Sequence, residues 1–141
     1  MYIIINYDHM KGFVGNIEKI TGDNSFFRQV IYTSKHSQLV VMALRPGEDI
    51  GEEVHEENDQ FLRFESGRGS VVIDGVETSV QDGFAVVIPA GAKHNVKNTS
   101  PDLELKLYTI YSPAHHRDKL VHETKDVAAR DEEEFDGVLS E

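Results

Sequence analysis

A chain of 141 residues has the usual size of one domain and buries roughly two-thirds of the surface its unfolded form exposes. It contains no cysteine, which excludes disulfides, thiolate metal clusters and thiol nucleophiles. Its 14 Lys plus Arg against 25 Asp plus Glu give a formal net charge of -11, the wrong sign for phosphate backbones or anionic lipid, so neither nucleic acid nor a membrane is an expected partner.

Residues 1–25 read as an N-terminal extension. The first of them, Met1-Tyr2-Ile3-Ile4-Ile5, are apolar but have no basic start and are cut off by Asn6 and Asp8. Neither a signal peptide nor a membrane span is expected, and the cytoplasm is the expected location. From residue 26 to residue 114 the chain reads as short strands of β-branched and aromatic residues, punctuated by turn chemistry at intervals of about ten residues, the pattern of a sandwich or barrel. The expected strands are 27–33, 38–44, 53–55, 60–65, 70–73, 76–80, 85–88, 94–98 and 104–111. Asp74-Gly75 is a two-residue hairpin signal. Leu103-Glu104-Leu105-Lys106-Leu107 alternates apolar and charged residues, so all three leucines are expected on the core. Residues 115–141 read as an acidic extension with one helix over 125–133, capped by Thr124. The run Asp131-Glu132-Glu133-Glu134 reads as a solvated acidic face.

Two stretches carry chemistry. Glu53 and His55 are two apart, so on a strand their side chains leave the same face, and the polar turn Glu56 to Asp59 returns Gln60 beside them on the next strand. In the second stretch, the turn Pro89-Ala90-Gly91 reverses the chain and His94 opens the following strand at a height that faces the first cluster. Four donor groups, on Glu53, His55, Gln60 and His94, can thereby converge. His115 and His116 follow the last strand; adjacent residues point apart, so they read as capping or hydrogen-bonding residues. Tyr108, Tyr111, Phe61 and Phe64 read as barrel filling or a dimer face. His36 precedes a strand, and His9 and His122 have no distinguishing context.

These stretches resemble the paired motifs of the cupins, G-x5-H-x-H-x4-E-x6-G and G-x5-P-x-G-x2-H-x3-N. The second motif is matched at Gly83, Pro89, Gly91, His94 and Asn98, and the first at Gly47, His55 and Gly67. The first departs from the pattern at two ligand positions, with Glu53 where the family has histidine and Gln60 where it has glutamate. One carboxylate and two imidazoles are still retained, the set associated with open-sided non-haem iron sites. The resemblance implies an all-β double-stranded β-helix, a jelly-roll barrel with short terminal helical extensions, often as a homodimer, with one divalent metal ion inside. Oxygen-rich donors without thiolate favour Fe(II) or Mn(II); Zn(II), Co(II) and Ni(II) also accept imidazole and carboxylate.

The whole chain is similar to small bacterial cupins of the mannose-6-phosphate isomerase-like type. That similarity implies a metal-dependent isomerase or lyase acting on a hydroxy-carbonyl or sugar-like small molecule. A non-haem Fe(II) dioxygenase and a non-catalytic, metal-containing binding module are the alternatives. No catalytic base is identifiable, because Lys93 and Glu52 sit next to ligand positions and are expected to point away.

Overall fold

The computed structural model describes residues 11–141; Met1 to Ile5 and His9 lie outside them. After a short helix α1 (Ile17–Asp23) come β1 (Arg28–Thr33), β2 (Gln38–Leu44), β3 (Glu53–Val54), β4 (Asp59–Ser66) and β5 (Arg68–Ile73). Then follow β6 (Val76–Gln81), β7 (Ala85–Ile88), β8 (Lys93–Asn98), β9 (Leu105–Ser112), β10 (Val121–His122) and a second helix α2 (Lys125–Arg130). The strands form a six-stranded sheet in the order β10-β1-β2-β9-β4-β7 and a four-stranded sheet in the order β3-β8-β5-β6. All the pairings are antiparallel. This is the double-stranded β-helix that the resemblance to the cupins implies. Among the described residues no helix is long and apolar enough to cross a membrane.

The inner faces follow from the period of two. On β9, Leu105, Leu107, Thr109 and Tyr111 are buried while the residues between them are half-buried, and on β4 Gln60, Leu62 and Phe64 are buried in the same rhythm. Register sets these side chains against one another: Gln60 opposes Tyr111, Leu62 opposes Thr109 and Phe64 opposes Leu107. One end of the barrel interior is therefore apolar, around Phe64, Met42, Leu105 and Leu107, and the other carries polar groups. Leu103 departs from the expected alternation. It lies before β9 and is 64% exposed, because its carbonyl accepts from Asn98 Nδ2 at 2.8 Å in the connection leading into the strand.

Turn chemistry accounts for the motif glycines. Asp74 and Gly75 both have positive φ, 47° and 83°, and join β5 to β6 with Ile73 opposite Val76, the two-residue hairpin expected. Gly67 has φ +93°, and a Cβ there would stand 2.5 Å from the carbonyl oxygen of Glu104, whereas a Cβ on Gly83 (φ +90°) would meet nothing within 4 Å. Gly83→Ala should therefore carry only backbone strain, on the order of 1 kcal/mol. Gly67→Ala adds a clash with fixed backbone, roughly 1–3 kcal/mol more. Urea denaturation of the two variants side by side checks the ordering; equal losses would contradict it.

The C-terminal extension is tied to the barrel. Ser140 N–H donates to Thr33 O at 2.9 Å, and Phe135 N–H donates to His115 O at 3.1 Å. Helix α2 has the expected cap, Thr124, whose side chain accepts from Val127 N–H, but it ends at Arg130 rather than 133. Beyond Arg130 the acidic residues take other partners. The expectation of a solvated acidic face is corrected at Glu133, whose side chain is only 3% exposed and bonds to His116, and at Asp131, which bonds to His122 and Arg117.

Candidate metal centre

Glu53 ends the free edge of the four-stranded sheet and lies directly opposite His94 on β8. His55 follows two residues later, at the exit from β3, where its carbonyl accepts from Gly91 N–H at 2.9 Å and locks the motif's Pro-x-Gly turn against it. Among the described residues, ligand atoms of Glu53, His55 and His115 all lie within 4.8 Å of one another. The His55 ring is 4.2 Å from that of His115 and 5.1 Å from that of His94, centroid to centroid. Of the four donors expected from the sequence, Glu53 and His55 are thus brought together, and His94 adjoins them. Its Nδ1 lies 3.0 Å from the Ala92 carbonyl oxygen, which occupies that nitrogen and leaves Nε2 as the ring's donor.

Gln60 reaches the inner face from β4. Its Nε2 donates to Thr109 Oγ1 at 3.0 Å, so the amide is oriented and its oxygen is free. Among the described residues neither Gln60 Oε1 nor His55 Nε2, both buried, has a hydrogen-bond partner; the approach of His55 Nε2 to Glu53 Oε2, 3.7 Å, is too long for one. Buried polar atoms rarely stay unsatisfied. A divalent cation fits this donor set, because it would use the lone pairs that no described residue takes up.

Charge states point the same way. Burial raises the pKa of Glu53, with Arg28 and His94 opposing. It also drives His55 down to about 3, helped by positive charge on His115 and His94, and lowers His115. The rings of His55 and His115 are therefore neutral near pH 7, the form in which a histidine ligates. Tyr111, wholly buried and edge-on to His55 at 5.7 Å, has its hydroxyl pushed up by burial and stays protonated.

His115 is the residue that reading the sequence missed. Adjacent side chains point apart on a strand, which makes it read as a capping residue; here β9 has ended at Ser112 and the chain turns. That turn is pinned from two sides. Gln38 Oε1 accepts from the N–H groups of His115 (3.2 Å) and His116 (3.0 Å), while Gln38 Nε2 donates to His116 O at 2.7 Å. Asn58 Nδ2 donates to Pro113 O at 2.6 Å. Both histidine rings face inward, 4.7 Å apart, and Tyr111 stacks on His115 at 5.3 Å. Tyr111 thus lines the site rather than merely filling the barrel, whereas Phe61 and Tyr108 pair with each other at 6.3 Å. Lys93 and Glu52 form an exposed ion pair at 3.3 Å.

His116 makes the hydrogen bond assigned to it. Its Nδ1 is 2.5 Å from Glu133 Oε1, and the other carboxylate oxygen accepts from Arg117 N–H at 2.9 Å. Burial works against ionisation of Glu133, but the bonds from His116 and Arg117 outweigh it and bring the carboxyl down to about 2. Burial also takes His116 down to about 4, against the pull of Glu133. The pair is a neutral imidazole donating Nδ1–H to a carboxylate.

A pH dependence follows for the metal-free protein. His55 and His116 protonate in the unfolded chain near 6.5 but in the folded one only near 3 and 4. The unfolded state binds more protons in between, so stability falls as pH drops below 6.5, by up to about 1.4 kcal/mol per pH unit for each histidine. The depressed pKa of Glu133 contributes stability that is lost only as pH falls from 4.5 toward 2, so it offsets nothing between pH 7 and 5. The raised pKa of Glu53 works in the opposite sense as pH falls, so urea midpoints of metal-free Glu53→Gln protein at pH 7 and pH 5 measure the histidine contribution; equal midpoints would show the histidines to be solvated.

The comparisons with known proteins agree with this architecture. The chain is 47% identical over 129 residues to YrkC of Bacillus subtilis (strain 168), covering 86% of this chain and 69% of that protein. It is 32% identical over 100 residues to SchB of Streptomyces halstedii, covering 71% and 70%. The crystal structure of BH2720 from Bacillus halodurans superposes with a TM-score of 0.84 at 43% identity, covering 87% of this chain and 97% of that one. The Cupin domain model matches residues 40–111, the span that contains both motifs, the strands β3 to β8 and most of β2 and β9, and the chain belongs to the cupin domain family.

Proposed function

We propose that the protein is a metal-dependent enzyme acting on a small hydroxy-carbonyl compound, of isomerase or lyase type, with Glu53, His55, His94 and His115 around the ion and Gln60 as a weak further donor. The observation that carries this reading is the unsatisfied pair, His55 Nε2 and Gln60 Oε1, buried beside a desolvated carboxylate. A divalent ion bound there would supply Lewis acidity, polarising a substrate carbonyl and favouring loss of the proton beside it. The chain's own residues do the rest. The protonated Tyr111 hydroxyl offers a hydrogen bond to a substrate oxygen, His116 Nε2 stands 3.4 Å behind that hydroxyl, and Glu133 holds His116 in orientation. The neutral amide of Gln60 is a weaker donor than a carboxylate and would yield its place to an incoming substrate oxygen.

A dioxygenase is the second reading, favoured by one feature: Glu53, His55 and His115 make up a two-histidine, one-carboxylate set. Screening the Fe(II)- and Mn(II)-loaded protein against hydroxy-carbonyl compounds, mannose 6-phosphate included, with and without oxygen, separates the readings. Turnover that is equal without oxygen supports the isomerase or lyase. Turnover abolished by removing oxygen supports the dioxygenase, and stoichiometric binding without product leaves neither enzyme standing.

A further inference from the structure

Arg28 opens β1 on the inner face of the six-stranded sheet. It stands two residues before Val30, which belongs to the core, and opposite His122 on β10. It is 7% exposed, and an arginine so buried ordinarily has a carboxylate beside it, since an unpaired interior charge costs several kcal/mol. Among the described residues no Asp or Glu is within ion-pair distance of it. Its support is instead a neutral acceptor. Arg28 Nη1 is 3.2 Å from His122 Nδ1, and His122 Nε2 is 3.0 Å from Asp131 Oδ2. A guanidinium can only donate, so His122 accepts on Nδ1 and gives its Nε2 proton to Asp131, while the Phe27 ring lies 5.2 Å from the guanidinium carbon. The group is held in place without being neutralised.

Its Nε is buried and has no partner among the described residues. With Nη1 engaged by His122, the edge that remains is Nε with Nη2, two parallel N–H groups spaced for the two oxygens of a carboxylate. The nearby acids are otherwise engaged: both Glu133 oxygens have partners and Glu53 belongs to the donor group of the metal centre. The positive charge of Arg28 acts on Glu53, His55, Tyr111, His115 and Glu133, which places it over the same interior. With a divalent ion present, the interior is net positive within a protein whose overall charge is strongly negative.

We propose that Arg28 anchors the carboxylate of the small molecule taken into the barrel, so that the ligand is an organic acid rather than a neutral sugar. For the reaction, and only there, this rests on the metal-centre reading: combined with it, the substrate class becomes hydroxy- or keto-acids.

The test uses the full chain with 15N-labelled arginine, metal-free and loaded with Zn(II), titrated with acetate, glycolate, inorganic phosphate and ethylene glycol at constant ionic strength. The Arg28 Nε–H resonance should shift saturably with acetate and glycolate and not with ethylene glycol, and Arg28→Gln should weaken acetate binding at least about tenfold while metal content stays unchanged. Arg28→Lys, which keeps the charge without the fork, should bind acetate more weakly than the native protein. A response to phosphate but not to acetate, or an Arg28 resonance that no carboxylate moves, would overturn the assignment, and the resonance decides this even if both variants unfold. Glycolate should gain over acetate only in the Zn(II)-loaded protein; loss of that gain with acetate binding intact would count against the metal centre and leave the Arg28 assignment standing.

Discussion

Purified His55→Ala protein should hold less than about a tenth of an equivalent of divalent metal under conditions that load the native chain with one. Loss of a residue that merely supports a ligand costs 10–100-fold in metal affinity, and loss of the ligand itself should exceed roughly the upper figure. His55 is the most decisive choice because it belongs to both candidate donor sets, the one expected from the motifs and the one drawn together around His115. Metal analysis of His94→Ala and His115→Ala, alongside native protein, then assigns the rest. Loss in His115→Ala with retention in His94→Ala identifies Glu53, His55 and His115 as the ligands; the reverse restores the set expected from spacing. Full metal retention in His55→Ala would refute a site at this position.

Phe64→Ala is expected to be the most destabilising single truncation, by about 3–5 kcal/mol. Phe64 is fully buried on the inner face of β4 opposite Leu107, in the part of the interior filled by Met42, Leu44 and Leu105. Closely packed β-branched and leucine side chains on paired strands cannot slide inward to refill a ring-sized space, so a cavity term adds to the lost transfer energy. For a domain of this length the loss corresponds to a fall in melting temperature of roughly 10 °C. A fall of less than a third of that, measured by differential scanning calorimetry, would mean the barrel collapses around the missing ring.

What could be read from the sequence follows how locally each feature is encoded. The strands were legible because alternation on β4 and β9 spans eight residues apiece, and Asp74-Gly75 announced its hairpin. Glu53 and His55 were legible as a pair because two-residue spacing on an extended chain fixes a common face. Leu103 misled, since alternation continues in the sequence past the point where the sheet ends. The edge strand β10 is two residues long, too short for any period. His115, Arg28 and Glu133 were illegible for a different reason: each gets its role from partners far away in the chain, His122 for Arg28 across 94 residues and His116 for Glu133 across 17. No local pattern marks such a partner.

Gln38 shows how unevenly the information for one site is distributed. This fully buried amide uses its oxygen on two backbone N–H groups and its nitrogen on Thr33 Oγ1 and His116 O. Glutamate of the same shape could accept but not donate, and leucine could do neither. The address of His115 is thus written 77 residues upstream, in a side chain that would never touch metal or substrate. A homologue could keep every donor in the motifs and still lose His115 from the candidate centre by changing one amide on β2.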